Sequence, residues 1–485
     1  MSDWRVTHLA TSSTYSLPRL DAKLFWADTG KNQTLKIDGE AIESPAGTIC
    51  QSCSLAYSQT EQGRSLDLAG WQLAGLNLYL PLLQAVAPQG LDKLRLGGEI
   101  AQASLTWQGP WQQPTIWSFD ATLKQFAMVH PELTVGPVDV SAQLKPQGGR
   151  MDLAGKAMSL SYPAQLLETL NFSHWDSRVE WQRQGDNWRL DLRNLSAANR
   201  DMQLKLAGHY QGSSAGVGQV KLSGDIGHLA ANKVYAYLPR ILGDEVLFWL
   251  RRALPKGDAS KGKLLWEGSV QDFPYTAGSP AANKGQFLIS AEGRGVTLDY
   301  VEGWPKIENI NGHLSFAGLA MDVRAKSAEI SGASLFYVSA KIPNLEIDQH
   351  VFIDGKARGK TSDFLRFVQN SPVKAATNGF LDQLVATGQG ALALKLDIPI
   401  ADTDETKVEG IYQFKQNELQ FGGVIPKLSE VTGSVEFSEA SLKIPAAQAK
   451  ALGGQVSLHG ANDAQGDLLL QMKGEAAMEQ VLAQY

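Results

Sequence analysis

The sequence predicts a mainly β fold: an elongated, repeated antiparallel sheet with short amphipathic helices between the repeats. Three observations support this prediction: one segment occurs twice, apolar residues fall on every second position over most of the chain, and a few stretches lose that period. Alternation of apolar and polar residues is typical of a strand with one dry and one wet face. Stacked repeats of such strands give a long sheet with one continuous apolar side.

The repeated segment runs from Gly285 to Leu335, here called copy 1, and recurs 121 residues later over residues 406–456, here called copy 2. The same spacing relates five pairs of matching residues: Leu298/Leu419, Pro305/Pro426, Gly312/Gly433, Phe316/Phe437 and Gly332/Gly453. Because all pairs keep one register, we interpret the segment as an internal structural repeat.

The alternation within each copy predicts which side chains share a face. Residues 310, 312, 314 and 316 of copy 1 are apolar or glycine, and polar residues stand between them. Copy 2 does the same at residues 431, 433, 435 and 437. We therefore expect one apolar face to carry Leu314, Phe316, Leu394, Leu396, Val435 and Phe437, opposite His313, Ser315, Lys395 and Glu436.

Length and charge limit the classes of function. The chain has 485 residues, a formal net charge of −6 at pH 7 and charges of both signs interleaved along it. A length of this kind suggests about three ordinary domains, although a repeat relaxes that count. The lack of a basic stretch argues against a nucleic-acid partner. The sequence shows no signal-peptide pattern and no apolar run near the roughly 18 residues of a membrane span, so we expect it to be soluble as written.

Strands that end in glycine and lead into stretches of helical period divide the chain. The predicted parts are a β region or partial repeat at 1–70, repeat units at 71–223, 224–358 and 359–473, and the start of a further unit at 474–485. Because the last helical stretch has no strands after it, we expect the sequence to be a piece of a longer protein.

Four helical stretches are predicted, over residues 76–86 with an interruption at Pro81, 229–254, 364–385 and 478–485. In the second, Asp244 is placed to cap a helix that ends with two arginines before Pro255. Asp at the start and cations in the last turn both suit the helix dipole. We expect this helix to plug or cap the sheet edge, with a membrane-surface or partner-binding role as the alternative.

The other strands keep the two-residue period in sets centred on residues 120, 141, 190, 207 and 395. A sheet with one dry face must bury that face. Because the chain has too few helical residues to cover it, the sheet must either curl on itself, as in a closed sandwich, or hold something else.

Cys50 and Cys53 are the only cysteines, in a C-x-x-C spacing. This spacing allows a redox pair, half of a metal site or a disulfide. The flanking residues indicate strand around a turn rather than a strand followed by a helix, so we predict a structural role. A zinc site would need further ligands of this type, and we predict no metal site.

Residues typical of catalysis are not grouped. The segment Gly212–Gly216 matches a nucleophile elbow in letters, but it is a Gly/Ser loop between predicted strands. The segment Gly355–Thr361 resembles a phosphate-binding loop but is one residue short between its glycines. The eight histidines are scattered, and no carboxylates are paired by the pattern. We predict neither catalytic residues nor a cofactor.

Family-specific strings then appear at Tyr235–Pro239, Gly262–Gly268, Phe273–Tyr275 and Asn417–Phe421, together with Trp304-Pro305 and Leu396–Pro399. With these strings the sequence resembles the YhdP branch of the AsmA-like envelope proteins of Gram-negative bacteria. The resemblance is collinear over nearly the whole chain and is strongest from about residue 230 to 460. It implies a β-sheet curled into an apolar groove that carries phospholipid acyl chains between the inner and outer membranes, without an enzymatic step.

The resemblance also implies location and partners. The parent protein is expected in the periplasm, anchored to the inner membrane by an N-terminal segment that this sequence lacks, with a longer C-terminal part. Partners are then acyl chains, the membrane through the missing parts, and envelope proteins that the sequence does not identify. The alternative function is a structural or adhesive β-repeat stalk without lipid cargo.

Together, the alternation and the resemblance predict the residues that line the groove. They are Phe287, Ile289, Leu298, Ile310, Leu314, Phe316, Val323, Leu394, Leu396, Ile398, Leu419, Phe421, Val431, Val435, Phe437, Leu442 and Ile444.

Overall fold

A computed structural model describes residues 4–8, 13–80, 93–110, 114–213, 216–377, 379–422, 425–463 and 467–484. Strands make up 66% of the chain and pair antiparallel in an open sheet, and the helices are few and short. The prediction of a mainly β, antiparallel fold is thus confirmed. Internal contacts divide the chain into two compact units, the first mostly within 1–227 and the second mostly within 273–485.

The first unit begins with two strands that pair only with each other, β1 (Trp4–His8) and β2 (Ser13–Leu17). The following strands are β3 (Arg19–Asp28), β4 (Gln33–Ser44), β5 (Gly47–Thr60), β6 (Gly63–Gln72), β7 (Arg95–Gln108), β8 (Ile116–Val129), β9 (Thr134–Lys145) and β10 (Gly148–Gly155). They continue with β11 (Met158–Ser161), β12 (Leu170–Phe172), β13 (His174–Gln184), β14 (Asn187–Ala198), β15 (Met202–Ser213) and β16 (Gly216–Ala230). A short helix, α1 (Leu73–Leu76), follows β6.

Most strands of this unit pair with the next strand along the chain. The exception lies at β9, which pairs with β10 along one part and with β11 along another, while β10 also pairs with β13. Directly opposed residues in an antiparallel ladder point to the same face. One such row crosses the sheet from β3 to β15 and is apolar apart from one glycine: Trp26, Leu35, Tyr57, Leu66, Leu105, Phe119, Leu144, Gly149, Trp181, Leu190 and Tyr210.

After β16 the chain forms α2 (Val234–Tyr237), α3 (Asp244–Ala253) and β17 (Lys256–Ser269), whose residues are divided between the two units. The predicted single helix over 229–254 is wrong, because β16 extends to Ala230 and two 3₁₀ turns also fall in this range. Pro239 is extended and Gly243 has a φ of 92°, and these two conformations separate α3 from α2. The predicted helix start at Asp244 is nevertheless the start of α3.

The second unit holds both copies of the repeat. Its elements are β18 (Gly285–Leu298), β19 (Ile307–Ala317), β20 (Ala320–Ile330), β21 (Ala333–Ile342), β22 (His350–Lys360), α4 (Thr361–Gln369), α5 (Val373–Ala376) and β23 (Val385–Pro399). Then come β24 (Lys407–Gln420), β25 (Leu428–Ser438), β26 (Leu442–Ala451), β27 (Gly454–Asn462), β28 (Leu468–Gly474) and α6 (Met478–Gln484). Each strand from β18 to β28 pairs antiparallel with the next.

The other predicted helices differ in length from the observed ones. The stretch 364–385 is not one helix, because Asn370 and Pro372 separate α4 from α5 and β23 already begins at Val385. The stretch 76–86 is helical over its described part, since α1 ends at Leu76 and a 3₁₀ turn follows over residues 77–80, and the rest of it lies outside the described residues. The predicted C-terminal helix is confirmed as α6 over its described part. The division of the chain into five parts stays a prediction.

Cys50 and Cys53 form a disulfide inside β5, so the predicted turn at this place is wrong. The register of β5 against β6 shifts between Cys50 and Ser54, and Ser52 has a φ of 83°. The two cysteines therefore span a bulge within a continuous strand. Both are buried, and a Cβ atom on Gly39 would lie 2.8 Å from each sulfur, so only glycine leaves room for the disulfide.

Candidate functional site

The candidate site is the apolar face of the second unit's sheet, here called the dry face. A row of directly opposed residues crosses seven consecutive strands on this face: Ala291, Leu314, Val323, Ala340, Ile353, Leu396 and Val408. Residues two positions along each strand point the same way. The dry face is therefore apolar across the width of the sheet from β18 to β24.

The opposite face, here called the wet face, is polar in the same way. Its neighbouring row is Glu292, His313, Arg324, Ser339, Asp354, Lys395, Glu409 and Ser438. Acidic and basic side chains stand opposite each other along it, as between Asp354 and Lys395. Exposed pairs of this kind add little stability, but they keep one side of the sheet hydrated.

The register brings together the residues that the sequence assigned to one face. Leu314 and Leu396 belong to the same row, and Phe316 lies opposite Ile289 on the same face. Phe437 joins this face through Gly410, which is opposed to Leu394 on one side and Phe437 on the other. A Cβ atom on Gly410 would clash with the ring of Phe437, so the glycine lets that ring lie across the strand.

The predicted groove residues differ in how far they are covered. Leu419 and Val431 are 5% and 2% exposed and belong to the core of the unit. The others are half-buried: Phe287, Ile289, Leu298, Ile310, Leu314, Phe316, Val323, Leu394, Leu396, Ile398, Phe421, Val435, Phe437, Leu442 and Ile444. Their assignment to a groove stays a prediction.

The buried residues cluster at one end of the strands, here called the covered end. It consists of Ala386, Leu419, Leu428, Val431, Ala447, Ala449, Ala451, Val456 and Leu458. Leu365 of α4 packs against this cluster, and Phe364 of α4 lies 5.1 Å from the ring of Tyr412. The helix that follows β22 therefore lies on the dry face and covers part of it.

Hydrogen bonds hold α4 at the covered end. Thr361 accepts hydrogen bonds from the hydroxyl of Tyr412, at 2.8 Å, and from the side-chain amide of Asn417. Asn417 is fully buried, and its Oδ1 accepts from the backbone N–H of Lys415 at 2.9 Å. Burial raises the pKa of Tyr412, and the hydrogen bond with Thr361 opposes this shift only in part. Tyr412 is therefore neutral at physiological pH and serves as a donor.

At the other end of the strands, here called the open end, apolar side chains keep access to solvent. Leu394, Leu396, Val408 and Phe437 are half-buried there. Farther along the sheet, Leu470 is 37% exposed and Met472 is 43% exposed. Met472 is directly opposed to Leu458 and therefore lies on the same face as that residue. Exposed apolar surface that is continuous over several strands marks a binding surface more often than isolated apolar residues do.

Within the described ranges, no group of three or more His, Cys, Asp or Glu side chains is placed to hold a metal ion. In the same residues, every helix is too short or too polar to cross a membrane.

A match to a known protein family shows to which family the chain belongs. The family model described as YhdP protein matches residues 1–485, which is the full length of the sequence. The chain belongs to the YhdP family. This confirms the resemblance that the strings around residues 235–275 and 417–421 indicated.

One YhdP-family relative is the intermembrane phospholipid transporter YhdP of Escherichia coli (strain K12). It is 21% identical to this chain over 428 residues, which cover 86% of this chain and 33% of the relative. The chain therefore spans about a third of the length of this curated relative. No solved structure matches the chain.

Two features of this YhdP-family sheet were missed from the sequence. The position of α4 on the dry face was not predicted, because a helix after a strand can pack on either face. Asn417 was named only as part of the family-specific string Asn417–Phe421 and not as a buried polar residue, although it stands where copy 1 has Val296. A polar residue at an apolar position of a repeat was the signal that could have identified it.

Proposed function

We propose that this chain is a section of a phospholipid carrier, and that its dry face holds acyl chains while lipid moves between the inner and outer membranes. In this role it contributes to lipid homeostasis and to the permeability barrier of the outer membrane. The observation that carries the proposal is the row from Ala291 to Val408, which places an apolar residue on every strand it crosses. Membership of the YhdP family and the similarity to an intermembrane phospholipid transporter support the same cargo.

The physical reason is that an acyl chain is apolar along its length, as is the row of residues from Ala291 to Val408. Each methylene that leaves water contributes about 0.8 kcal/mol, so two acyl chains offset the exposure of a long apolar surface. Because the row offers no specific contact at any strand, a chain could move along it without a large barrier. The wet face, with its alternating charges, keeps the carrier hydrated on the other side.

The proposal assigns different roles to the two ends of the strands. The half-buried residues of the open end, such as Leu396 and Phe437, contact the acyl chains. Leu419 and Val431 of the covered end are buried under their neighbours and stabilise the sheet instead. The proposed acyl-chain surface therefore has fewer residues than the groove predicted from the sequence, because Leu419 and Val431 are left out.

We place the carrier in the periplasm and its parent protein at the inner membrane, because an intermembrane transporter must bridge the two membranes. Carriage of this kind needs no catalytic group. The competing function is a structural stalk that fills the dry face with its own side chains, and the packed cluster at the covered end is the observation that favours it.

Site-specific photocrosslinking in cells tests the proposal. A photoreactive amino acid replaces Phe316 or Phe437 on the dry face of the full-length parent, and Ser315 or Glu436, the preceding residues, serve as matched controls on the wet face. We expect phospholipid to be captured from the dry positions and not from the controls. If phospholipid were captured at neither set of positions, or equally at both, the lipid-carrying role would be contradicted. The structural stalk would then be the remaining candidate function.

A charged residue placed on the dry face provides a second test of the proposal. An unpaired carboxylate in an apolar site costs several kcal/mol, so Val435→Asp should stop lipid transfer between membranes. Ser434→Asp places the same charge on the neighbouring wet-face residue and should transfer lipid normally. Circular dichroism of both variants checks that each is folded. Normal transfer by a folded Val435→Asp protein would exclude a continuous apolar path.

A further inference from the structure

On the wet face, β20 and β21 form a depression of about 880 Å³ together with His313 of β19 and Arg358 of β22. Its lining includes His313, Arg324, Lys326, Phe336, Tyr337 and Arg358, and no carboxylate lines it. Small-molecule sites in proteins fall in the range of roughly 300–1,000 Å³. The depression is therefore of the size that a small organic ligand fills.

Two bulges create the depression. The register of β19 against β20 shifts beside Lys326, and that of β21 against β22 shifts between Phe336 and Ser339. Because Ala325 is opposed to Val338, the two extra residues, Lys326 and Tyr337, lie opposite each other. Bulges redirect side chains, often next to functional sites. Tyr337 has a φ of 54° and is 80% exposed, so its ring stands out from the sheet at this point.

The cations of the depression differ in how they are held. Arg324 donates to both carboxylate oxygens of Asp322, at 2.9 and 3.1 Å, which fixes its guanidinium. Arg358 lies over the ring of Phe336, 5.4 Å from its centroid. In the described part of the chain, neither Lys326 nor Arg358 forms an ion pair with a carboxylate. Two positive charges beside a fixed third one are therefore available to an anion.

Copy 2 shows that the repeat folds without this group of side chains. The residues 121 positions later are Ser434 for His313, Pro445 for Arg324, Ala447 for Lys326, Ser457 for Phe336 and Leu458 for Tyr337. None of them is basic or aromatic. Arg358 of β22 has no counterpart at this spacing, because residue 479 lies in α6. Because the same strands form in copy 2, the fold does not require the basic residues of copy 1.

We propose that this depression binds a phosphate ester, either a free small molecule or the headgroup of an anionic lipid. Guanidinium groups match the oxygens of a phosphate in geometry, and charge-assisted hydrogen bonds are the stronger kind. The rings of Tyr337 and Phe336 provide an apolar wall for the organic part of the ligand. The site lies on the face opposite to the dry face, so it is independent of the proposed acyl-chain surface.

Isothermal titration of the full chain tests this site with three probes: glycerol 3-phosphate, vesicles of phosphatidylglycerol with phosphatidylcholine, and a short polyglutamate peptide. We expect saturable binding of the free ester, the vesicles or both. Each of Lys326→Gln and Arg358→Gln should weaken that binding by about tenfold or more, because hydrogen bonds to charged groups contribute roughly 1.5–3 kcal/mol. Arg358→Lys, which keeps the charge, should weaken it less.

Lys443→Gln is the matched control, since Lys443 is an exposed lysine of copy 2 that is opposed to Glu436. This variant should bind like the unaltered chain. Binding of the free ester identifies a soluble ligand, whereas binding of the vesicles alone identifies a headgroup. The proposal is overturned if neither phosphate probe binds, if only polyglutamate binds, or if Lys326→Gln and Arg358→Gln bind as well as Lys443→Gln. The dry-face crosslinking experiment does not involve these residues, so the two proposals fail separately.

Discussion

Copies 1 and 2 repeat their backbone irregularities more closely than their side chains. Gly295 and Gln416, at matching positions, have φ angles of 55° and 53°, and Asn309 and Glu430 both have a φ of 53°. The N–H of Gly295 donates to Asn311 at 3.1 Å, and the N–H of Gln416 donates to Thr432, the residue that matches Asn311, at 3.4 Å. The bulge is therefore the same in both copies, although the residues that form it have changed.

The turns that receive the helices are repeated as well. Ser331 and Leu452, at matching positions, have φ angles of 51° and 49°, and each precedes a glycine with positive φ. The carbonyl of Ser331 accepts from Arg366 of α4 at 2.8 Å, and the carbonyl of Leu452 accepts from the N–H of Ala477, just before α6, at 2.7 Å. Each copy thus docks the helix that follows it at the same turn.

The copies differ in what covers the dry face. Leu298 and Ile310 of copy 1 are half-buried, whereas their matches in copy 2, Leu419 and Val431, lie in the core. The cover in copy 2 includes Leu365 of α4. The same backbone therefore supports a packed surface in one copy and a more open one in the other, and the neighbouring elements decide which.

The largest expected effect comes from truncating the packed copy. Leu419→Ala should lower the free energy of unfolding by about 2–5 kcal/mol, the usual range for a buried leucine, because buried apolar groups are lost and their neighbours fill the cavity only in part. Leu298→Ala, its match in copy 1, should cost clearly less because the side chain is only half-buried. Urea denaturation of both variants measures the difference. Equal losses would mean that the two copies are packed alike.

The sequence predicted the strands of both copies because alternation and matching register depend on local residues and on the period of the backbone. It also placed Leu314, Phe316, Leu394 and Leu396 on one face correctly. Burial was harder to predict, because Leu298 and Leu419 are the same residue type at matching positions of the repeat. The packing of Leu365 of α4 against the cluster that contains Leu419 is a contact between residues far apart in sequence, which the local pattern does not indicate.

The second-largest expected effect concerns Asn417, a buried polar residue of copy 2 whose match in copy 1, Val296, is apolar. Asn417→Ala removes one of the two hydrogen-bond donors to Thr361 and the acceptor of the Lys415 N–H in a buried place, which should cost about 1–3 kcal/mol. Asn417 also holds the first turn of α4, so the amide protons of this helix should exchange faster. Val296→Ala, the matching change in copy 1, should leave the exchange of α4 unchanged. Hydrogen exchange with mass spectrometry distinguishes the two results, and unchanged α4 protection in Asn417→Ala would show that other contacts hold the helix.

A smaller effect depends on pH. Burial raises the pKa of Tyr300 in copy 1 to about 12, whereas copy 2 has Phe421 at this position. The unfolded tyrosine loses its proton near pH 10, so the folded state binds more protons above that pH. The contribution of Tyr300 to stability is therefore complete below pH of about 10 and is lost as the pH rises towards about 12.

Tyr300→Phe makes copy 1 like copy 2 at this position and should reduce the loss of stability in that alkaline range. It should not remove it, because burial also raises the pKa of Tyr412. Thermal unfolding followed between pH 8 and 11 compares the variant with the unaltered chain. Identical pH profiles would indicate that Tyr300 is not protected from ionisation in the folded state.

The sequence predicted which residues form the dry face, but it did not predict the second candidate site on the wet face. The alternating residues identified the dry face, since apolar side chains at every second position need no knowledge of the neighbours. The wet-face depression was not predicted, because Lys326 and Tyr337 are far from Arg358 in sequence and meet only through two register shifts. His313 was correctly assigned to the wet face, but nothing in its local sequence indicated the cations around it.

The smallest effect tests whether the shared bulge depends on its residue type. Gly295→Gln gives copy 1 the residue that copy 2 carries at a φ of 53°. A Cβ atom at Gly295 would have no other atom within 4 Å, so the side chain meets no steric obstacle. The left-handed conformation costs a non-glycine residue roughly 1–2 kcal/mol, but the more restricted unfolded chain returns about 0.4–1 kcal/mol of this. We therefore expect Gly295→Gln to lower the free energy of unfolding by no more than about 1.6 kcal/mol in urea denaturation. Gly98→Gln is the contrasting variant, because its Cβ would lie 2.5 Å from the carbonyl oxygen of Gln125 and the strand would have to shift. If Gly295→Gln were as damaging as Gly98→Gln, the two copies would not share their bulge in solution.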